Sequence, residues 1–247
     1  MKFAFGDEKK ESEIHDLIKR NFQQFAMIGY EWVSLLRITE KELLSRINVE
    51  GKEHLLAAKK KNPSVILLSA HFGNWEYAHL YYALTIGPLN FIVRKVDNPL
   101  LEEERVSYNR KFGVNILDKE NGLRPAIRRL KKGEDLVLFP DQTASFEGIP
   151  ISFFGRKTNT LHLPVSLSMK YSIPIVPMFI VRQGNSPSHR LIFLPEIEIK
   201  DKTAQNALEK YTQQQNDVIE KMIREHPDHW LWIHRKWKCY HPEIYEQ

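Results

Sequence analysis

Short apolar runs alternate with helix-like segments from Ser64 to Phe139, and this alternation is the strongest limit on what the chain can fold into. The apolar runs are Val65–Leu68, Leu89–Val93, Val114–Leu117 and Leu136–Phe139. The segments between them are Trp75–Thr85, Leu100–Phe112 and Leu123–Lys132. Strands that alternate with helices predict an α/β fold with a mostly parallel central sheet flanked by helices.

The remaining segments extend this fold at both ends. Ser12–Leu36 has a helical period with a wide apolar face, so we expect a long amphipathic helix with a break near Gly29. That helix can pack on the domain, lie at a membrane surface, or do both. Ile173–Val181 predicts a further strand, and Arg190–Leu194 its antiparallel partner. We therefore expect one domain over residues 1–247, with a helical segment at 1–50 and an α/β core at 51–247.

Composition limits the partners and the chemistry. The 36 Lys and Arg residues outnumber the 31 Asp and Glu residues, which gives a net charge of +5 and favours an anionic partner. An acidic protein, a phospholipid surface and a nucleic acid all fit that charge. The single cysteine, Cys239, excludes an internal disulfide and an ordinary cysteine-based metal site. No apolar run reaches about 18 residues, so we expect no membrane-spanning helix in this sequence.

The candidate catalytic residues come directly after the first apolar run, in the stretch H-F-G-N-W-E from His71 to Glu76. On one helix the two side chains would point about 140° apart, because each residue turns the helix by about 100°. With His71 in the turn and Glu76 in the first helical turn, the carboxylate can reach the imidazole, fix its tautomer and prepare a general base. The alternative from spacing alone is that His71 caps the helix and Glu76 complements its dipole.

Other polar residues lie at the ends of the next strands. Arg94 ends the second run, where a guanidinium can hold a phosphate or a carboxylate through two hydrogen bonds. Asp141 and Gln142 come after the fourth run and begin a polar loop that continues to Gly148. The apolar residues just beyond this loop either wall a groove or belong to the core: Ile149, Ile151, Phe153 and Phe154.

Aromatic and basic residues are interleaved from Trp230 to Lys238. Such a tail can bind a nucleic acid, lie at the level of lipid headgroups, or cover the core.

These segments together resemble the bacterial lipid A biosynthesis acyltransferases that add the late acyl chains, a family within the lysophospholipid acyltransferase superfamily. His71–Glu76 is similar to the H-x4-(D/E) box of that superfamily, in its glutamate form. The other matching motifs, in chain order, are F-I-V-R at Phe91–Arg94, F-P-D-Q at Phe139–Gln142, I-P-I-V-P at Ile173–Pro177 and H-R-K-W-K at His234–Lys238. The sequence departs from the wider glycerolipid enzymes, because Asp141-Gln142-Thr143 stands where they read like E-G-T, which favours the lipid A branch.

The resemblance implies transfer of a fatty acyl group from an acyl carrier protein thioester to a hydroxyl of a lipid A precursor, without a cofactor or a metal ion. His71 would be the base, Glu76 would orient it, Arg94 would hold an acceptor phosphate and Asp141 would shape the same site. We also expect Asn74 and Gln142 to contact substrate. Backbone N–H groups near Gly73 are the candidate donors to the oxyanion.

The same resemblance implies a location on the cytoplasmic face of the bacterial inner membrane, at the membrane surface. Family members usually begin with a membrane-spanning helix. The stretch F-A-F-G-D-E-K-K from Phe3 to Lys10 resembles the segment directly after that helix, so we expect Met1 to be an internal start of a longer chain.

Rival functions stay open on the sequence alone. A sister acyltransferase could act on another glycolipid or lysophospholipid, such as a phosphatidylinositol mannoside, with acyl-CoA as donor. A metal-dependent hydrolase is a second rival, but the sequence has no H-x-H, H-x3-H or H-E-x-x-H spacing to support a metal site. A nucleic-acid-binding domain would need a longer basic stripe than the tail offers, so we expect no nucleic-acid partner.

Overall fold

A computed structural model of the protein describes residues 1–144 and 148–246, and its centre is a seven-stranded sheet. The strands of this sheet are β1 (Ile47–Glu50), β2 (Ile66–Leu68), β3 (Leu89–Val93), β4 (Val114–Asp118), β5 (Asp135–Leu138), β8 (Ile175–Arg182) and β9 (His189–Phe193). Their order across the sheet is β1-β9-β8-β2-β5-β3-β4. Neighbours are parallel except β8 and β9, which run antiparallel as predicted. The predicted α/β class and its mostly parallel sheet are confirmed.

Helices cover both faces of the sheet. They are α1 (Lys2–Phe5), α2 (Glu11–Ser34), α3 (Glu40–Ser45), α4 (Lys52–Lys61), α5 (Trp75–Thr85), α6 (Pro99–Lys111), α7 (Leu123–Leu130), α8 (Leu163–Tyr171) and α9 (Ala207–Glu225). Short 3-10 turns lie at Gly6–Glu8 and Pro242–Tyr245. Alternate residues of β2 enter different cores. Ile66 and Leu68 belong to one buried cluster with residues of α7, α8 and α9, whereas Leu67 belongs to another with residues of α4, α5 and α6.

Helix α2 is continuous, so the expected break near Gly29 is wrong. A single glycine lowers helix propensity by about 1 kcal/mol, which the buried contacts of Ile14, Leu17 and Ile28 outweigh. The helix buries one face, and its exposed apolar side chains include Ile18, Phe22 and Val33.

The segment after the polar loop is a β-hairpin rather than a loop. Strands β6 (Ile149–Phe153) and β7 (Arg156–Thr160) pair antiparallel around Phe154 and Gly155, both of which have positive φ. Positive φ at both central residues defines the tight turn that suits the twist of a hairpin. Ile151, Phe153 and Phe154 are buried in the core, so they do not wall a groove. Within the polar loop itself, residues 145–147 lie outside the described residues.

The predicted division at residue 50 stays a prediction. Residues 47–50 of the N-terminal segment form the edge strand β1 of the central sheet.

Candidate active site

A cavity of about 910 Å³ opens where β2, β3 and β5 end. Side chains of α2 form one wall, and the segments after the three strands form the others. Most of the lining is apolar, as with Phe91, Phe139 and Leu163, while His71, Arg94 and Lys119 bring polar groups to it. An apolar cleft with few polar groups at strand ends suits a ligand that carries a hydrocarbon chain.

His71 lies in the turn between β2 and α5, as the spacing predicts. Gly73 makes this turn possible, because its φ is +58° and an added Cβ would lie 2.0 Å from the backbone oxygen of Ile180. The turn places the His71 ring against Trp75 and Phe139, at centroid distances of 5.4 and 5.0 Å. The imidazole therefore has a fixed orientation at the wall of the cavity.

Asp141, and not Glu76, is the carboxylate hydrogen-bonded to His71. The Nδ1 atom of His71 lies 3.0 Å from Oδ1 of Asp141. A carboxylate only accepts hydrogen bonds, so Nδ1 carries the proton and Nε2 keeps its lone pair. Burial alone would lower the pKa of His71, but the charge of Asp141 and its hydrogen bond outweigh burial and raise it.

Asp141 is only 1% exposed, and two hydrogen bonds fix its carboxylate. Its Oδ2 atom accepts from the backbone N–H of His71 at 3.0 Å and from Nε1 of Trp230 at 2.9 Å. Burial favours the neutral carboxyl, but the charge of His71 and these hydrogen bonds outweigh burial and lower the pKa of Asp141 to about 2. Asp141 is thus a permanent carboxylate whose described contacts are to the protein, and it does not line the cavity.

Glu76 lines the same cavity as His71, but its hydrogen bond goes elsewhere. The hydroxyl of Tyr108 donates to its Oε2 atom at 3.1 Å, and Nε1 of Trp32 donates to that hydroxyl at 2.8 Å. Burial raises the pKa of Glu76. Across the described residues no hydrogen bond or ion pair joins Glu76 to His71, and the His71-Glu76 dyad stays a prediction.

Asn74 has a structural role in this arrangement. Its Oδ1 atom caps α5 by accepting from the backbone N–H of Tyr77 at 3.2 Å, and its Nδ2 atom donates to Glu31 of α2 at 2.8 Å. Glu31 in turn forms a buried ion pair with Arg182 at 2.5 Å. Asn74 is buried and absent from the cavity lining, its contacts join α5 to α2, and its predicted contact with substrate stays a prediction.

Arg94 and Gln142 both reach the cavity. The side chain of Arg94 is 79% exposed and pairs with Asp97 at 3.1 Å, an exposed contact that a ligand anion can replace. The Nε2 atom of Gln142 lies 3.5 Å from Nε2 of His71, so its amide N–H donates a long hydrogen bond to the lone pair of the imidazole.

Comparison with known protein families gives a match over most of the chain. The model of the family described as bacterial lipid A biosynthesis acyltransferase matches residues 1–239.

The chain belongs to the bacterial lipid A biosynthesis acyltransferase family.

Among its relatives, a lipid A biosynthesis palmitoleoyltransferase of Escherichia coli (strain K12) is 27% identical over 228 residues, 92% of this chain and 72% of the relative. A lipid A biosynthesis lauroyltransferase of the same organism is 23% identical over 236 residues, 94% and 74% of the two chains. A phosphatidylinositol mannoside acyltransferase of Mycolicibacterium smegmatis is 22% identical over 226 residues, 90% and 72% of the two chains. The protein is accordingly an acyltransferase whose acyl group is not an aminoacyl group.

The C-terminal tail of this acyltransferase completes the site. The backbone N–H of Leu231 donates to the carbonyl of His71 at 2.9 Å, and Nε2 of His234 accepts from the backbone N–H of Thr143 at 2.9 Å. Trp230 and Trp237 are buried in the core, so the tail covers the core, and neither indole is free to stack on a nucleic acid.

Lys236 belongs to the matching H-R-K-W-K motif, but its burial behind Gln142 was not predicted from the sequence. Its ammonium group is fully buried and donates to the carbonyl of Gln142 at 3.2 Å and to Oγ1 of Thr160 at 2.7 Å. Burial lowers the pKa of Lys236 to about 7. A lysine in an aromatic-basic tail gives no signal that it will be buried, because the sequence pattern is that of a solvated segment.

In the described ranges of the acyltransferase, no helix is long and apolar enough to cross a membrane. No group of three or more His, Cys, Asp or Glu side chains in those ranges could hold a metal ion.

Proposed function

We propose that this acyltransferase moves a fatty acyl group from the thioester of an acyl carrier protein to a hydroxyl of a lipid A precursor, with His71 as the general base. The observation that carries the proposal is the orientation of His71. Its Nδ1–H is bound by the buried carboxylate of Asp141, while Nε2 lies beside Gln142 at the cavity. This is the arrangement that a base needs when it takes a proton from a hydroxyl.

The chemistry is a direct transfer. Nε2 of His71 takes the proton of the acceptor hydroxyl as its oxygen attacks the thioester carbonyl carbon. The tetrahedral intermediate then collapses, the carbon–sulfur bond breaks, and the thiolate leaves with the proton that His71 returns. General-base assistance contributes roughly 10²–10⁴-fold, so positioning and oxyanion stabilisation supply the rest.

The oxyanion donor is not the backbone N–H of Gly73, since that group donates to the carbonyl of His229 at 2.8 Å. The side-chain amide of Gln142 is the better candidate, because it lies at the cavity wall next to the base. The Nζ atom of Lys236 donates a hydrogen bond to the backbone carbonyl of Gln142. We propose that this lysine positions the Gln142 segment.

The acceptor would enter from the side of Arg94 and Lys119, two cations of the cavity lining that can meet its phosphate. Glu76, on the cavity wall, would act on the acceptor from that side. The exposed apolar residues of α2, Phe22 and Val33 among them, would lie against the cytoplasmic face of the bacterial inner membrane, where a lipid acceptor is found.

A second candidate is acyl transfer to a phosphatidylinositol mannoside, with acyl-CoA as donor. It is favoured by the match to the Mycolicibacterium smegmatis enzyme, which covers 90% of this chain. The two candidates share the base and differ in donor and acceptor.

Purified enzyme incubated with each donor and each acceptor, with mass spectrometry of the lipid as the readout, tests both candidates. We expect transfer from the acyl carrier protein to the lipid A precursor, and none with His71→Ala. In cells that lack the gene, lipid A should lose one acyl chain. An unchanged lipid A, together with transfer only to the mannoside, would replace the first candidate with the second.

A further inference from the structure

Helix α7 and the residues directly after it carry a local excess of positive charge outside the catalytic site. Residues 123–133, which contain α7, hold five basic residues and no acidic one. Outside this segment, 31 basic residues balance 31 acidic ones, so α7 and its C-terminal end carry the whole charge excess of +5.

These cations form a continuous exposed surface. Arg124, Arg128 and Lys131 are spaced i, i+4 and i+7, so they lie on one face of the helix, and we call them the α7 basic stripe. The ammonium groups of Lys131 and of Lys170 in α8 both lie over the ring of Tyr171, at 5.3 and 5.5 Å from its centroid. The stripe thus extends onto α8.

No ion pair among the described residues neutralises the charges of the stripe. Within the described residues Arg129 pairs with Glu134, whereas no member of the α7 basic stripe has a carboxylate partner. Like charges at i and i+4 repel one another on a helix, so an acidic partner would relieve an unfavourable interaction.

The direction of α7 relates the stripe to the active site. Leu123 at its start lines the catalytic cavity, and the carbonyl of Leu130 at its end accepts from the hydroxyl of Ser64, just before β2. Because β2 runs toward His71, the stripe runs down the flank of the sheet, away from the cavity mouth. A partner bound there lies beside the mouth and leaves the apolar face of α2 free.

We infer that the α7 basic stripe docks an acidic acyl carrier protein, whose pantetheine arm enters the cavity past Lys119 and Leu123. This inference rests on the proposed function, which requires such a donor. Charge complementarity favours this partner, since acyl carrier proteins are acidic as a class. The alternative occupant, a flat anionic membrane, is an outcome of the test below.

The test uses the double charge reversal Arg124→Glu/Arg128→Glu in the full chain, assayed in a neutral detergent with one fatty acyl group on two donors. With the acyl carrier protein as donor, KM should rise about tenfold or more, because reversal of contact charges slows association. With acyl-pantetheine, which has no protein and no phosphate, KM and kcat should stay within about twofold. Added salt should raise KM for the parent enzyme and have little effect on the variant.

The matched control is Lys52→Glu/Lys60→Glu, which makes the same charge change at the two ends of α4 on the opposite face of the sheet. It should leave both KM values at the parent level. An equal rise with the control would mean that net charge, and not the stripe, sets the affinity.

Other outcomes overturn the inference separately from the proposed function. A parent-level KM for the carrier thioester in the stripe variant removes the docking surface while the proposed function stands. Loss of activity with acyl-pantetheine as well would make the stripe structural. Co-sedimentation with phosphatidylglycerol vesicles that falls in the variant, with an unchanged carrier KM, would assign the stripe to the membrane. No transfer from the carrier by the parent enzyme would refute the donor itself.

Discussion

The substitution Asp141→Asn tests whether Asp141 or Glu76 is the carboxylate that orients His71. The Oδ2 atom of Asp141 is fixed by Trp230 and by the backbone N–H of His71, so the oxygen of asparagine should keep that position. Its amide nitrogen then faces Nδ1 of His71, where Oδ1 now lies at 3.0 Å. An amide N–H donates, so Nδ1 must accept, and the imidazole proton moves to Nε2.

A His71 protonated at Nε2 has no lone pair for the acceptor hydroxyl. The same change in a Ser-His-Asp triad lowers kcat about 10⁴-fold, and we expect a loss of that order, or roughly 5 kcal/mol of transition-state stabilisation. The residual activity should also respond differently to pH. His71 acts as a base only when neutral, so activity falls as the pH drops through its pKa.

In the parent enzyme Asp141 raises the pKa of His71 against the opposing effect of burial. With asparagine only the lowering by burial remains, so the acidic limb of kcat/KM against pH should move to lower pH. Acyl transfer measured with acyl carrier protein thioester from pH 5 to 9 gives both readouts, and thermal unfolding checks the fold.

Glu76→Gln is the control, because Glu76 is hydrogen-bonded to Tyr108 rather than to His71. It should leave the acidic limb in place. Retention of more than about a tenth of the parent kcat by Asp141→Asn, or a shift of the limb in Glu76→Gln alone, would refute the reasoning and support the His71-Glu76 dyad.

Further substitutions test a buried ion pair, a glycine in the His71 turn and a cation of the cavity lining. Glu31→Gln leaves Arg182 buried with its ion pair broken, and should destabilise the fold by about 3–5 kcal/mol and lower Tm by roughly 6–20 °C in a thermal melt. Gly73→Ala places a Cβ against the backbone oxygen of Ile180 and should cost more than about 2 kcal/mol by urea unfolding, with loss of activity. Arg94→Ala should raise KM for a phosphorylated acceptor more than it lowers kcat, as steady-state kinetics will show.

Each of these changes has a control in the same chain. Glu11→Gln removes only the exposed pair with Lys2, so Tm should move by less than about 2 °C. Gly29→Ala meets no atom within 4 Å and should stabilise α2 by about 0.5–1 kcal/mol. Lys95→Ala should leave KM for the acceptor unchanged. The role of the Glu31–Arg182 ion pair would be contradicted if Glu31→Gln lowered Tm no more than Glu11→Gln. An unchanged stability in Gly73→Ala would contradict the close approach of residue 73 to Ile180. An unchanged KM in Arg94→Ala would contradict phosphate binding by Arg94.

The strands and helices of the core could be predicted because their sequence periods are local. The predicted span of β3 is identical to the observed one, and the predicted span of α5 likewise. The β6–β7 hairpin was only partly within reach, since apolar residues alternate before Phe154-Gly155, at Ile149, Ile151 and Phe153, whereas the residues after it are all polar. Its phenylalanine in a positive-φ turn position, in place of the usual Asn or Gly, hides the signal.

The carboxylate that is hydrogen-bonded to His71 could not be predicted from the spacing of residues in the sequence. His71 and Glu76 are close in sequence, whereas Asp141 is 70 residues from His71 and meets it because β2 pairs with β5. Strand order is a property of the whole sheet, which no local pattern reports. The indole of Trp230 that fixes Asp141 is 89 residues further along the chain, so its role depends on tertiary packing alone.

The contact between Trp230 and Asp141 also bears on when a newly made molecule becomes active. As the ribosome releases the chain, His71 and Asp141 emerge well before the segment after α9. Until Trp230 leaves the exit tunnel, the carboxylate lacks its indole donor and the carbonyl of His71 lacks Leu231. We therefore expect acyl transfer to begin only after the segment that holds Trp230 and Leu231 has left the tunnel and folded against the site.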